Sequence, residues 1–213
     1  MEKFTNSKSS GIVLNLIEEI RLSKEYLSRL DGAIGDGDHG INMNKGFTMA
    51  KTNINQDMDL SISLDVLGTV LISEIGGSMG PLYGVFFKAL ASACNSKEEI
   101  DKYIFLDMIE KGYEKIVEIG SAQVGDKTLI DTLDPAYNVF KNSVNDKNFK
   151  ELLELMIEAA DKGKDSTLGM VAKIGRSARL GERSRGFLDA GAVSCYIILK
   201  SMGESIISII EDK

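Results

Sequence analysis

Apolar positions recur three and four residues apart along most of the chain, and clear runs of period-two alternation are absent. Val13, Leu16, Ile17, Ile20, Leu27 and Leu30 predict a helix over about residues 10–30, with Ser9 or Ser10 placed to cap it and Asp31 delivered from its end. Met43, Phe47 and Met49 mark a second helix from Asn42 to about Asn55, and Leu64, Leu67 and Leu71 a third over Leu60–Ile75, stopped by Gly76-Gly77. Pro81 stands where a first-turn proline belongs, ahead of a helix over Leu82–Ala93. Ile100–Ile119 follows, ended by Gly120. Lys127 to about Val144 reads as helical with a kink at Pro135. Phe149, Leu152, Leu153, Met156 and Ala160 give another helix, Thr167 to about Ala178 one more, and Ala192–Ile210 the last. Eight or nine helices joined by short loops predict an all-α bundle. No internal repeat, low-complexity tract or linker interrupts it, so residues 1–213 form one expected domain.

Composition narrows what such a bundle can do. A 43% hydrophobic, 27% charged chain of 213 residues is ordinary for a globular protein with a substantial core. Its 25 basic and 32 acidic residues give a net charge of -7, which argues against nucleic acid and anionic membranes as partners. A polyanionic ligand would need a local cation. Cys94 and Cys195 sit in apolar helical patterns and read as buried reduced thiols, not a disulfide or zinc site. The N-terminus has no apolar signal core and no apolar run approaches eighteen residues, so a cytoplasmic protein is expected.

The chemistry falls between the helices. Residues 31–40 hold three aspartates (Asp31, Asp36, Asp38), four glycines and the only histidine. Glycine lets such a loop turn sharply enough to bring carboxylates together. Two carboxylates roughly 5 Å apart repel by about 3 kcal/mol at an effective dielectric of 20, so three call for a cation or a proton. Gly76–Gly84, Gly120–Thr128 and Gly175–Gly191 are further glycine-rich loops, several running into a helix N-terminus where free amides suit phosphate oxygens. Any one of them alone is equally a tight interhelical turn.

Familiar motifs fail here. Gly35–Gly40 matches GxGxxG but follows a helix, and its aspartates would repel a pyrophosphate. Gly120–Thr128 approaches a P-loop with Asp126 inserted before the lysine. An EF-hand from Asp36 would meet Ile41 and Phe47 where glycine and glutamate belong. A carboxylate loop for magnesium and substrate phosphates remains, as phosphoryl transfer requires. A lone histidine is more often structural than catalytic, but His39, between Asp38 and Gly40, is placed to hydrogen-bond a phosphate or a carboxylate. Arg176, Arg179, Arg183 and Arg185 form a basic patch suited to cover a nucleotide, to meet an acidic partner, or simply to face solvent.

At Leu30–Met43, Gly76–Gly84, Gly125-Asp126-Lys127-Thr128 and Gly175–Gly191, in that order, the chain resembles the nucleotide-binding L subunit of dihydroxyacetone kinase. The resemblance implies a single-domain antiparallel eight-helix barrel with ADP or ATP and two Mg2+ ions at one end. It implies Asp31, Asp36 and Asp38 as metal ligands, and these with His39 as the catalytic group. Around the nucleotide it places His39, Gly40, Ile41, Asn42, Gly77, Ser78, Met79, Gly120, Thr128, Leu129, Arg176, Asp189, Ala190 and Gly191. It further implies a separate K subunit that holds dihydroxyacetone, and a phosphotransferase-system M subunit that rephosphorylates bound ADP.

Three positions depart from the family pattern: Met79 for a serine, Phe187 for a polar residue, and Ala190 for the proline of Asp-Pro-Gly. They leave the metal ligands intact and bear on substrate and partner, so a paralogous subunit for another small ketose is an alternative. Others are a nucleotide-loaded module regulating a transcription factor without turnover, and a structural bundle with a stabilising calcium site.

Overall fold

The computed structural model describes residues 2–212. It is an all-α bundle of eight α-helices: α1 Gly11–Ile34, α2 His39–Lys51, α3 Leu60–Glu74, α4 Met79–Cys94, α5 Lys102–Gly120, α6 Ile130–Ser143, α7 Phe149–Ser166 and α8 Ala190–Glu211. Each helix packs on its neighbour in the chain, and α8 closes on α1, so the helices form a ring around one contiguous apolar core. Phe105, Phe140 and Phe149 meet at one end of it with ring centroids 5.4–6.4 Å apart. Cys94 and Cys195 are buried free thiols, as expected. Only α8 is long and apolar enough to cross a membrane among the described residues, and half of it is buried inside the bundle.

Several boundaries differ from the pattern-based reading. Alternation was absent, yet β1 (Lys3–Thr5) and β2 (Glu99–Asp101) pair antiparallel. Ile100 therefore belongs to a strand, and α5 starts at Lys102 with the Asp101 carboxylate accepting from the Tyr103 and Ile104 amides at 2.9 Å. Ser10 sits at the N-cap of α1, but its hydroxyl has no partner, and Ser9 donates instead to the Thr5 carbonyl at 2.6 Å. Pro135 lies inside an unbroken α6. That helix begins at Ile130, three residues later than expected. Lys127 is in the left-handed region (φ 64°) and the Asp131 carboxylate collects the Gly125 and Thr128 amides at 2.5 and 2.8 Å, which holds 125–129 as a turn.

The largest correction concerns Thr167–Ala178. No α-helix forms there: a 3-10 turn at Thr167–Gly169 leads to an irregular segment and 3-10 turns over Arg176–Ser184. Gly175 and Gly181, at φ 78° and 53°, break any continuous helix.

Two close crossings position the loops. Gly40 packs α2 on to α1 so tightly that a Cβ would run into the Lys24 carbonyl and Ser28, and Gly80 fits α4 equally closely against the Ile75 carbonyl. Both glycines are buried one or two residues from the candidate site.

Candidate functional site

α1 extends through Asp31 to Ile34 because Ile34 continues the buried face, so Asp31 projects from the last turn and not from beyond the helix end. Asp36 and Asp38 follow in the loop to α2. The three carboxylates bring one oxygen each within 4.8 Å of one another. Burial, reinforced by the charges of Asp36 and Asp38, raises the Asp31 pKa, against a bond from the His39 amide. Desolvation also opposes charge on Asp36, but the Arg176 guanidinium outweighs it and holds that carboxyl below its ordinary value. Arg176 ion-pairs with Asp36 and, at 3.1 Å, with Asp38. A cation is thus already drawn to this cluster. An all-oxygen donor set that already attracts a guanidinium fits a hard divalent ion such as Mg2+.

Beside the carboxylates opens a cavity of about 720 Å3. It is lined by the polar Asp31, Asp38, His39 and Asn42 and by the apolar Met79, Leu82, Ile116, Ala122 and Leu129. The N-terminal ends of α4 and α8, at Met79 and at Ala190 and Gly191, open on to it. Of the expected nucleotide contacts, His39, Asn42, Gly77, Ser78, Met79, Gly120, Thr128, Leu129, Arg176, Asp189, Ala190 and Gly191 all line this one space. Gly40 and Ile41 do not: Gly40 is buried against α1, and the Ile41 side chain is 52% exposed. Asp36 does not line it, although its carboxylate lies with those of Asp31 and Asp38.

His39 is fixed from behind. Its Nε2 lies 2.9 Å from Ser194 Oγ on α8, and Ser194 Oγ lies 2.7 Å from the Tyr83 hydroxyl on α4. Burial lowers the imidazole pKa to about 4, against the pull of the Asp38 charge, so the ring is neutral near pH 7. Asp189 caps α8 by accepting from the Ala192 amide at 2.7 Å, and burial raises its carboxyl to about 6 despite that bond and Lys127.

Lys127, Tyr83 and Ser194 were not singled out by sequence. Lys127 is 1% exposed, and its ammonium donates to three carbonyls, Ser184 and Phe187 at 2.6 Å and Met170 at 3.2 Å. It thereby ties the arginine-rich segment to the cavity wall. It stands in the Gly120–Thr128 stretch, where the P-loop reading fails because Asp126 precedes the lysine, and only the fold reveals its carbonyl partners. Phe187, 43% exposed, contributes its carbonyl to that staple, and Ala190 is buried at the start of α8.

A closed ring of helices with a carboxylate cluster beside a cavity of mixed polar and apolar lining defines a helical domain with a candidate cation site. The chain belongs to the DAK2 domain family, whose pattern matches residues 33–204. It is 34% identical over 191 residues, 88% of each chain, to the ADP-binding subunit DhaL of PEP-dependent dihydroxyacetone kinase 2 from Listeria innocua. The corresponding Escherichia coli subunit is 35% identical over 182 residues, 84% of this chain and 86% of that one. The dihydroxyacetone kinase of C. freundii, solved with AMP-PNP and Mg2+, superposes with a TM-score of 0.69 at 24% identity, over 92% of this chain and 33% of the longer kinase. At that identity the likeness is one of fold.

Proposed function

We propose that this single-domain chain is the nucleotide-binding subunit of a cytoplasmic dihydroxyacetone kinase. It carries ADP or ATP with two Mg2+ ions and passes a phosphoryl group to dihydroxyacetone held on a separate K subunit. A phosphotransferase-system M subunit rephosphorylates the ADP. The observation that carries this reading is the convergence of Asp31, Asp36 and Asp38 beside a cavity that Asp31 and Asp38 line together with Met79, Leu82, Ile116 and Leu129. A nucleotide has that polarity.

Bound magnesium would neutralise charge on the phosphates and so favour transfer. The chain's own residues do the rest. Asp31, Asp36 and Asp38 hold the cation, and His39 and the loop amides at the starts of α4 and α8 orient phosphate oxygens. Met79, Leu82, Ile116 and Leu129 seat the base and exclude water. Arg176, which lines the same cavity and pairs with Asp36 and Asp38, would supply a guanidinium for the phosphates once a cation took its place at the carboxylates.

Asp36→Asn tests the assignment in a coupled assay with K- and M-type partners. Transfer should fall by at least a hundredfold while the thermal melt of the variant stays within a few degrees of wild type. Unchanged turnover would remove Asp36 from the reaction. Phe187, exposed where the family pattern has a polar residue, favours one second reading, a paralogous subunit serving another small ketose; assays across ketoses with the cognate K-type partner separate the two.

A further inference from the structure

We infer that Lys127 is a positioning residue: it closes the neck of the loop over residues 170–187 and thereby holds Arg176 at the carboxylate cluster.

Between the turn at Thr167–Gly169 and the start of α8 the chain makes an excursion that contains no α-helix. Its two ends come together again at one place. The Gly186 amide donates to the Leu168 carbonyl at 2.8 Å, the Ala172 amide donates to Ser184 Oγ at 2.9 Å, and the exposed Arg185 guanidinium donates to the Gly169 carbonyl. Lys127 joins the same two ends, since Met170 lies on the outgoing arm and Ser184 and Phe187 on the returning one. Its bonds are charge-assisted and shielded from water, which makes them the strongest of the set. An ammonium has three N–H donors, and here each has a carbonyl. None is left for a phosphate, although Lys127 also lines the cavity. Ser184 is fully buried, so removing the ammonium takes a charged donor from a carbonyl that water does not reach.

Lys127 is itself held from the other side. Its backbone is left-handed in the turn that Asp131 gathers, and the neighbouring Asp126 carbonyl accepts from the Lys173 amide at 3.1 Å. The Asp126 carboxylate pairs with the Lys173 ammonium at 3.3 Å. The α5–α6 turn thus grips the loop at its neck and again at Lys173, just ahead of Arg176. Beyond that grip little order is built in locally: Gly175 and Gly181 flank the Arg176 turn at positive φ, and Arg176, Arg179 and Arg183 are exposed. A loop with only short 3-10 turns of its own is ordered chiefly by how its ends are closed. From this base Arg176 reaches Asp36 and Asp38 on the α1–α2 loop. Without the Lys127 knot the arms part, and Arg176 is no longer presented at one place.

The effect on nucleotide affinity rests on the nucleotide reading above; the closure of the neck does not. Lys127→Met keeps the apolar stem and removes all three donors. In hydrogen exchange of the full chain without ligand, amides over residues 170–187 should exchange about tenfold faster in K127M, with the helices unchanged. Unchanged exchange of that loop in folded K127M overturns the proposal. Calorimetric titration with ADP and magnesium tests the link to Arg176. K127M should weaken binding about tenfold in the wild-type background and less than about twofold in R176A, because the two residues act as one unit. An unchanged affinity, or equal losses in both backgrounds, overturns the positioning role: a lysine that only stabilised the fold would give additive losses. If K127M does not fold, reductive methylation of the wild type decides. Lys127 should react about tenfold more slowly than Lys173 on the same loop, whose side chain is 63% exposed; equal rates overturn the closed neck. If wild-type protein binds no ADP while the loop of K127M exchanges faster, the nucleotide reading is refuted and the neck stands.

Discussion

The carboxyl groups at the site differ in what the fold does to their charge. Asp189 illustrates the consequence for stability. Its folded pKa of about 6 lies above the unfolded value of 3.8, so between these the native state binds the extra proton and stability falls as pH rises. The loss is complete above about pH 6. Asp189→Asn keeps an oxygen for the Ala192 amide and removes the charge. In ligand-free protein the variant should match wild type near pH 4 and exceed it by about 1 to 3 kcal/mol at pH 7.5 in urea melts. A difference flat with pH would contradict the burial of this carboxylate. At this scale the sequence revealed the acidic cluster, because three aspartates among glycines have no packing role. It hid Lys127 and Ser194, since a buried ammonium is recognisable only with its three carbonyls in view, and a lone serine in the apolar run of α8 looks like tolerated polarity.

Helices were legible wherever one face is buried at a regular spacing, as in α1, α3, α7 and α8. They were misread where apolar residues serve the loops. Leu168 and Ile174 are 48% and 37% exposed, and Ile174 lines the cavity, so their spacing does not describe a core face. The three-residue strands are too short for alternation to announce them. The α1–α2 crossing carries a test of its own. A side chain at Gly40 meets backbone of α1, so Gly40→Ala must push α2 outward, at a cost of about 1 to 3 kcal/mol. His39 and Asp38 would shift with it, and affinity for ADP with magnesium should fall more than tenfold. A variant with wild-type melting and affinity would show that the two helices are not pinned there.

In the whole molecule, the ring of helices leaves its chemistry to one end, where loops from α1–α2, α3–α4, α5–α6 and α7–α8 meet around the cavity. The closed core explains why three aspartates can crowd together at one end: the helices are held by apolar packing, and the carboxylate loop is free to be electrostatically strained. The most direct test of a magnesium-dependent nucleotide site is the thermal stability of the intact chain with ADP, with and without magnesium, in wild type and D36N. At a hundredfold excess over the dissociation constant, ADP should stabilise wild type by about 2.7 kcal/mol when magnesium is present, and D36N far less. Little or no effect is expected when the metal is chelated. Equal stabilisation by ADP in the absence of magnesium, or none under any condition, would contradict the account.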